Sequence, residues 1–327
     1  MIRTGVSALG WVLLVAGGLA SAGLLVLRLV PELHTWHHLV IAAASFIPLL
    51  WVPALAACLG LILVLRERWR LVGAAVLIAA VAVFAWPLLP QPETPDVPVA
   101  HGSVLTVLSL NLQFGRADVE EVAALVTDEV DVLALQEYTP EFEAELEASG
   151  LRERFPHQAG TADADASGTM ILSRTPVQIV AQAEGTVFEN LIATTTVEGT
   201  DWHLGVVHTA PPQLGADVWT RDAAAVADMA APYLEENLLL AGDFNAIAQH
   251  HTMRELTAGG ALHDLAERRP GEELRWHPTW PTGTWIPPFA RIDHALAAGG
   301  VLGDVSEVAT VPGTDHKALL IEATEVW

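Results

Sequence analysis

Asn111, Glu137, His208, Asp243 and Asn245 share one setting: each stands at or just after the end of a short apolar run. Carboxylates, amides and an imidazole gathered at strand ends make a site in which oxygen dominates. Cysteine does not join it, because the single one, Cys58, lies in an apolar segment far along the chain from these positions. A lone cysteine also rules out an intrachain disulfide and a cysteine-based zinc site. A sulfur-free, oxygen-rich donor set suits a hard cation such as Mg²⁺.

These residues need elements that bring them together. Residues 104–111, 132–136, 168–173, 192–197, 203–207, 238–240, 292–296 and 318–321 read as strands. Residues 118–129 place Val119, Val122, Ala123 and Val126 at helical spacing, and 219–234 read as a second helix. Strands mixed with a few helices predict a layered α/β architecture with sheet on sheet inside. In such layers the strand ends converge on one rim, where loops build sites.

The ordered series Asn111, Gln136-Glu137, Ser173-Arg174, His208, Gly242-Asp243-Phe244-Asn245, Arg291-Ile292-Asp293-His294 and Thr314-Asp315-His316 resembles the endonuclease/exonuclease/phosphatase family. The resemblance runs from about Ser103 to the carboxyl terminus. It implies a four-layer α/β/β/α sandwich of the deoxyribonuclease I-like type and a phosphoesterase site with one or two Mg²⁺ (or Mn²⁺) ions. Glu137, Asn111 and Asp315 are then the expected metal ligands. Asp243 would orient or deprotonate the attacking water, and Asn245 would donate to phosphoryl oxygens that gain charge. Asp293 would fix the tautomer of His316 and keep it a cationic donor. His208 would donate near the leaving oxygen. Ser173-Arg174 is expected to be structural. Trp280, Trp285 and Phe289, in a proline-rich loop at 277–289, either line a substrate entrance, dip into lipid headgroups, or pack the loop.

The first ninety residues differ in kind. Apolar stretches at 6–30, 39–65 and 71–89 are each about long enough to cross a hydrocarbon core as a helix. The expected organisation is therefore a three-helix transmembrane anchor over 1–90, a proline-rich linker over 91–102 and a catalytic domain over 103–327. Arg66, Arg68 and Arg70 fill the second short loop, whereas the first, at 31–38, has Glu32 and three histidines but no Lys or Arg. The positive-inside rule then puts the amino terminus in the cytoplasm and the catalytic domain outside it. At roughly 3.1 Å per residue, the linker could hold the domain about 30–40 Å from the last span. Three spans ahead of such a domain also resemble the VanJ-like membrane proteins linked to teicoplanin resistance in actinomycetes.

Charge narrows the substrate. Four of the 39 acids and five of the 16 bases precede Ser103, which leaves 35 acids against 11 bases in the domain. Such a surface repels polyanions and has no broad basic face for nucleic acid. The resulting expectation is a membrane-bound phosphoesterase acting on a phosphate ester or diphosphate of a lipid-linked substrate, with the bilayer as its environment. No obligate protein partner is expected. An extracytoplasmic, membrane-anchored nuclease is the alternative. A non-catalytic module would be expected to lack motif residues, and none is missing.

Overall fold

The computed structural model describes residues 2–65, 73, 75, 102–266 and 277–326. Two six-stranded sheets form the body of the chain. The first contains β1 (Val104–Asn111), β2 (Val132–Gln136), β3 (His157–Thr161), β4 (Thr169–Ser173), β11 (Val301–Thr310) and β12 (Lys317–Glu325), in the order β11-β12-β1-β2-β4-β3. The second contains β5 (Val177–Gln182), β6 (Leu191–Val197), β7 (Thr200–His208), β8 (Leu238–Asp243), β9 (His263–Asp264) and β10 (Asp293–Ala297), in the order β5-β6-β7-β8-β10-β9. β1 and β2 run parallel, as do β7 and β8; the other neighbours are antiparallel.

Side-chain alternation explains the layers. Leu105 and Val107 of β1, Val132 and Ala134 of β2, Leu204 and Val206 of β7, Leu239 and Ala241 of β8, and Ala295 and Ala297 of β10 interleave between the sheets. The opposite parity, Leu108 and Leu110 of β1 with Leu133 and Leu135 of β2, meets α4 (Val119–Leu125) and α5 (Pro140–Ala148) through Val119, Val122, Phe142 and Leu146. α4 is capped by the Asp118 carboxylate, which accepts from the amides of Glu120 and Glu121. On the far face of the second sheet, Val207, Leu238, Leu240 and Leu296 meet Trp219, Val226 and Met229 of α6 (Ala216–Ala230) and Met253 of α7 (His251–Leu256). The layers are therefore α/β/β/α.

The amino-terminal part departs from expectation. α1 (Ile2–Leu29) is one long apolar helix, as read from the sequence. The second apolar stretch is not one helix. It forms α2 (His38–Ala44), a 3-10 turn at Ile47–Leu49 and α3 (Trp51–Val64). Pro48, lacking a donor N–H, sits inside the break, where a continuous helix would lose a hydrogen bond. Among the described residues, two segments are long and apolar enough to cross a membrane, Ala8–Leu29 and Ile47–Val64, and few residues of either are fully buried. α1 and α3 pack backbone to backbone. A Cβ on Gly60 would lie 2.3 Å from the Leu14 nitrogen, and one on Gly17 would lie 2.6 Å from the Pro53 oxygen. Small residues at such points let helices approach closely. The third expected span, the arginines at 66, 68 and 70, and the proline-rich linker lie outside the described residues, apart from residues 73, 75 and 102.

Candidate active site

The inter-sheet core turns polar at one rim, and it does so without changing register. Asn111, His208, Asp243 and Asp293 each have the parity of the inward-facing apolar residues on β1, β7, β8 and β10. Cross-strand pairing holds them side by side: His208 is opposite Asp243, and Asp243 is opposite Asp293. Gly242 makes that packing feasible. Its φ is +142°, and a Cβ there would lie 2.1 Å from the Val207 carbonyl oxygen.

Asn111 lies at the centre. Its Nδ2 donates to Glu137 Oε1 and to Asp243 Oδ2, both at 3.1 Å, so one amide bridges the two sheets. Its Oδ1 accepts from the Gln113 amide at 2.9 Å. Glu137 follows β2 with φ +56°, a left-handed kink that ends the strand. Its Oε2 accepts from the Phe114 amide at 2.7 Å. Burial pushes the Glu137 carboxyl up, against these hydrogen bonds.

Asp243 Oδ1 accepts from the Asn245 amide at 2.8 Å, as a turn of this type requires. Burial raises its carboxyl to about 7, with the Asp293 charge adding to the rise and His316 opposing it. Asn245 Nδ2 donates to the Thr209 carbonyl at 2.8 Å and lies 3.3 Å from Asp243 Oδ2. Both of its amide hydrogens are thus engaged within the protein, so its visible action is to hold Asp243.

His316 faces both sheets. Its Nδ1 is 3.1 Å from both Asp293 oxygens. Its Nε2 lies 3.7 Å from Asp243 Oδ2 and 3.8 Å from Asp315 Oδ1. Burial disfavours its charge, but Asp293, Asp243 and Asp315 outweigh that and raise the imidazole to about 10. His208 behaves oppositely. Burial, helped by the His316 charge, pushes it down to about 3, and its ring stacks on Phe188 at 4.1 Å. Its Nε2 lies 3.8 Å from Glu137 Oε1 and 3.9 Å from Asp243 Oδ2. Asp315 is half-buried, and Trp280 Nε1 donates to its Oδ2 at 2.9 Å.

All eight residues singled out from the sequence therefore meet at one rim. Several supporting groups surround them: Thr314 stands in the Thr314-Asp315-His316 motif, whereas Asn190 and Thr279 carried no sequence signal. Asn190 exchanges two hydrogen bonds with the His208 backbone, at 2.7 and 3.1 Å. Thr314 donates to the Asn111 carbonyl and accepts from the His316 amide, tying the two ends of the domain together. Thr279 accepts from the amides of Ile292 and Asp293. Ser173-Arg174 lies apart: Arg174 donates to the Val130 and Thr127 carbonyls and covers the Phe155 ring, a structural role.

Three carboxylates, Asp243, Asp293 and Asp315, thus surround one positively charged imidazole, that of His316, and a fourth, Glu137, lies beside His208. Ligand atoms of Asp243, Asp293 and His316 come within 4.8 Å of one another, although His316 and Asp293 already engage each other. A surplus of buried negative charge is costly when unpaired. Oxygen donors with no sulfur among them relieve that cost by taking up a hard divalent cation, so the residues fit one.

Residues 108–316 match the endonuclease/exonuclease/phosphatase family. No curated protein matches the chain. Among solved structures, D. rerio TDP2 complexed with single-strand DNA product is 20% identical, with a TM-score of 0.52 over 68% of this chain and 99% of that one. An endonuclease/exonuclease/phosphatase family protein from Bacteroides thetaiotaomicron is 14% identical, with a TM-score of 0.51 over 70% and 100%. A family member from Bacteroides vulgatus is 14% identical, with a TM-score of 0.52 over 68% and 100%. These likenesses speak for the fold, and the family match spans most of the sandwich and the whole polar rim. The chain belongs to the endonuclease/exonuclease/phosphatase family, a family of phosphoester hydrolases.

Proposed function

We propose that this protein is a membrane-anchored, divalent-metal-dependent phosphoesterase that hydrolyses a phosphate ester or diphosphate carried on a lipid, with its catalytic domain at the outer membrane face. The observation that carries the reading is the meeting of the eight polar residues at one rim of a sandwich whose amino-terminal helices are apolar and long enough to cross a membrane. Glu137, Asn111 and Asp315 would hold Mg²⁺ or Mn²⁺. When bound, the cation neutralises the phosphate and lowers the cost of charge developing on its oxygens.

The chain's own residues divide the remaining work. Asp243, its carboxyl raised into the neutral range by burial, takes the proton of the attacking water. Asn245 and Asn111 hold that carboxylate in place. His316, kept cationic by Asp293, faces the phosphoryl oxygens with Nε2. His208 stays neutral and offers a hydrogen bond near the leaving oxygen. Asn245 reaches a phosphoryl oxygen only by releasing Thr209 or Asp243. A VanJ-like role on an isoprenyl diphosphate of wall synthesis would be one instance of this chemistry.

The domain's 35 acids against 11 bases favour a small phosphate head over duplex DNA, because proteins bind DNA largely by neutralising phosphates with Lys and Arg. The deciding experiment compares lipid diphosphates, sphingomyelin, phosphoinositides and plasmid DNA, with the full-length protein in mixed micelles and Mg²⁺. Faster hydrolysis of a lipid-borne phosphate is expected. Rapid plasmid cleavage without release of phosphate or headgroup from any lipid would replace the reading with an anchored nuclease. For orientation, a reporter active only outside the cytoplasm should work when fused after Trp327; activity of a cytoplasm-only reporter there would reverse the topology.

A further inference from the structure

The segment between the two apolar helices does not hang free of the catalytic domain. It touches that domain at several places, and two of these contacts bear on loops that carry site residues.

The first contact is aromatic. Phe46, in the break between α2 and α3, stacks on Phe289 with ring centroids 5.0 Å apart and planes 5° from parallel. Phe289 meets Trp280 edge to face at 5.7 Å. The Trp280 indole N–H ends this row on Asp315 Oδ2 at 2.9 Å. The same loop grips the Asp315 backbone. Thr282 N donates to the Asp315 carbonyl at 2.7 Å, Thr282 Oγ1 donates to the Thr314 carbonyl at 2.9 Å, and Lys317 N donates to the Thr279 carbonyl at 3.0 Å. Phe46 therefore abuts the outer end of the structure that orients a site carboxylate.

The second contact is made by two imidazoles in the same tautomer. His34 Nδ1 accepts from the His251 amide at 3.2 Å while its Nε2 donates to the Leu27 carbonyl. His250 Nδ1 accepts from the Ile247 amide at 3.1 Å while its Nε2 donates to the Ile41 carbonyl at 3.1 Å. The rings meet edge to face at 5.5 Å, and Ile41 is fully buried beside Trp219. This contact grips the loop that leaves Asp243 and Asn245. Ile247 of that loop packs with Ile292, Phe289 and Trp280, so the two contacts share one apolar floor.

We infer that the segment between the apolar helices is a working part of the site: Phe46 positions Asp315 through Phe289 and Trp280, while His34 and His250 pin the loop that follows Asn245. The inference rests on Asp315 acting as a cation ligand. Phe46 is a positioning residue, since it touches no reacting atom.

The test uses full-length protein in detergent micelles, a water-soluble aryl phosphate diester, and calorimetric titration with Mn²⁺. Partners that orient a metal ligand typically matter about tenfold or more in affinity or activity, so Trp280→Phe should weaken Mn²⁺ binding and lower kcat by about tenfold with KM little changed. Phe46→Ala should move both quantities the same way by about threefold, as remote coupled positions do. Phe46→Tyr should restore them. Phe46→Leu, which keeps apolar volume without the stack, should resemble Phe46→Ala and serves if the alanine variant does not fold. The double variant of Phe46→Ala with Trp280→Phe should be no worse than Trp280→Phe alone, because both act through one element. Wild-type behaviour of Phe46→Leu, or additive losses in the double variant, would overturn the inference and leave the proposed function standing. A wild-type protein that hydrolyses no phosphate ester would instead sink the proposed function, and the Mn²⁺ titrations would still decide the role of Phe46.

Discussion

Asp293 and His294 are neighbours on β10, and each joins an aspartate–histidine pair on its own face of the sheet. Towards the inner rim, Asp293 holds His316 beside Asp243 and Asp315, so carboxylates outnumber cations. Towards the outer face, His294 Nδ1 lies 2.7 Å from Asp264 Oδ2, and Arg291 pairs with the same oxygen. There the charges are matched. Although burial opposes it, Arg291 and His294 draw the Asp264 carboxyl down to about 2. The inner group pulls in the reverse direction: burial raises Asp243, and the surrounding acids hold His316 at about 10. The same residue types give a charge-matched structural brace on one face and a cation-seeking site on the other. The difference is the count of partners, not the identity of the pair.

The largest effect that separates the two groups is on turnover. His316→Ala and Asp243→Ala should each lower metal-dependent kcat by at least about a hundredfold, within the range for acid–base and electrostatic groups. Asp264→Ala should act on the other quantity. Removing one partner of a buried pair costs about 3–5 kcal/mol of stability, while kcat of the folded protein should fall far less than in His316→Ala. Thermal unfolding beside steady-state kinetics checks both. Equal losses of turnover from Asp264→Ala and His316→Ala would erase the distinction.

A smaller effect lies in pH. The folded-state pKa of His316, about 10, lies above its ordinary 6.5, so its stabilising contribution is complete below about 6.5 and drains away as pH rises towards 10. The Asp264 carboxyl, depressed from 3.8 to about 2, stabilises above 3.8 and loses that contribution as pH falls towards 2. In chelator-treated protein, His316→Asn should therefore flatten the alkaline limb of the stability profile alone, and Asp264→Asn the acid limb alone. An unchanged alkaline limb in His316→Asn would contradict the coupling of that imidazole to the acids around it.

Polar residues at strand ends could be read from the sequence because the apolar runs stop there. The strands themselves run further than those runs. Residues 203–207 and 238–240 read as strands, but β7 continues to His208 and β8 to Asp243, since the backbone ladder does not depend on side-chain polarity. Asp264 escaped notice because it sits in a two-residue strand without periodicity. β11 escaped because Gly303 and a register shift between Val305 and Glu307 break its alternation. α5 is legible in a Thr139 cap and in Phe142 and Leu146 four apart. The docking of α2 had no such signal. Ile41 and Phe46 are apolar like any residue of a span, and composition does not separate a side chain that faces lipid from one that faces protein.

The inward parity shared by Asn111, His208, Asp243 and Asp293 makes the length of four strands discrete. A one-residue insertion within β8 would turn Asp243 towards α6 and bring Gly242 or Phe244 to the rim, since one step along a strand reverses the face. A two-residue insertion would restore the facing but carry the carboxylate about 7 Å further along the strand, at about 3.3 Å of rise per residue. Loops such as 277–289 can change length without touching that arithmetic. Natural or engineered variation in this chain should therefore collect in its connections, while the strands that end in the site keep a constant count.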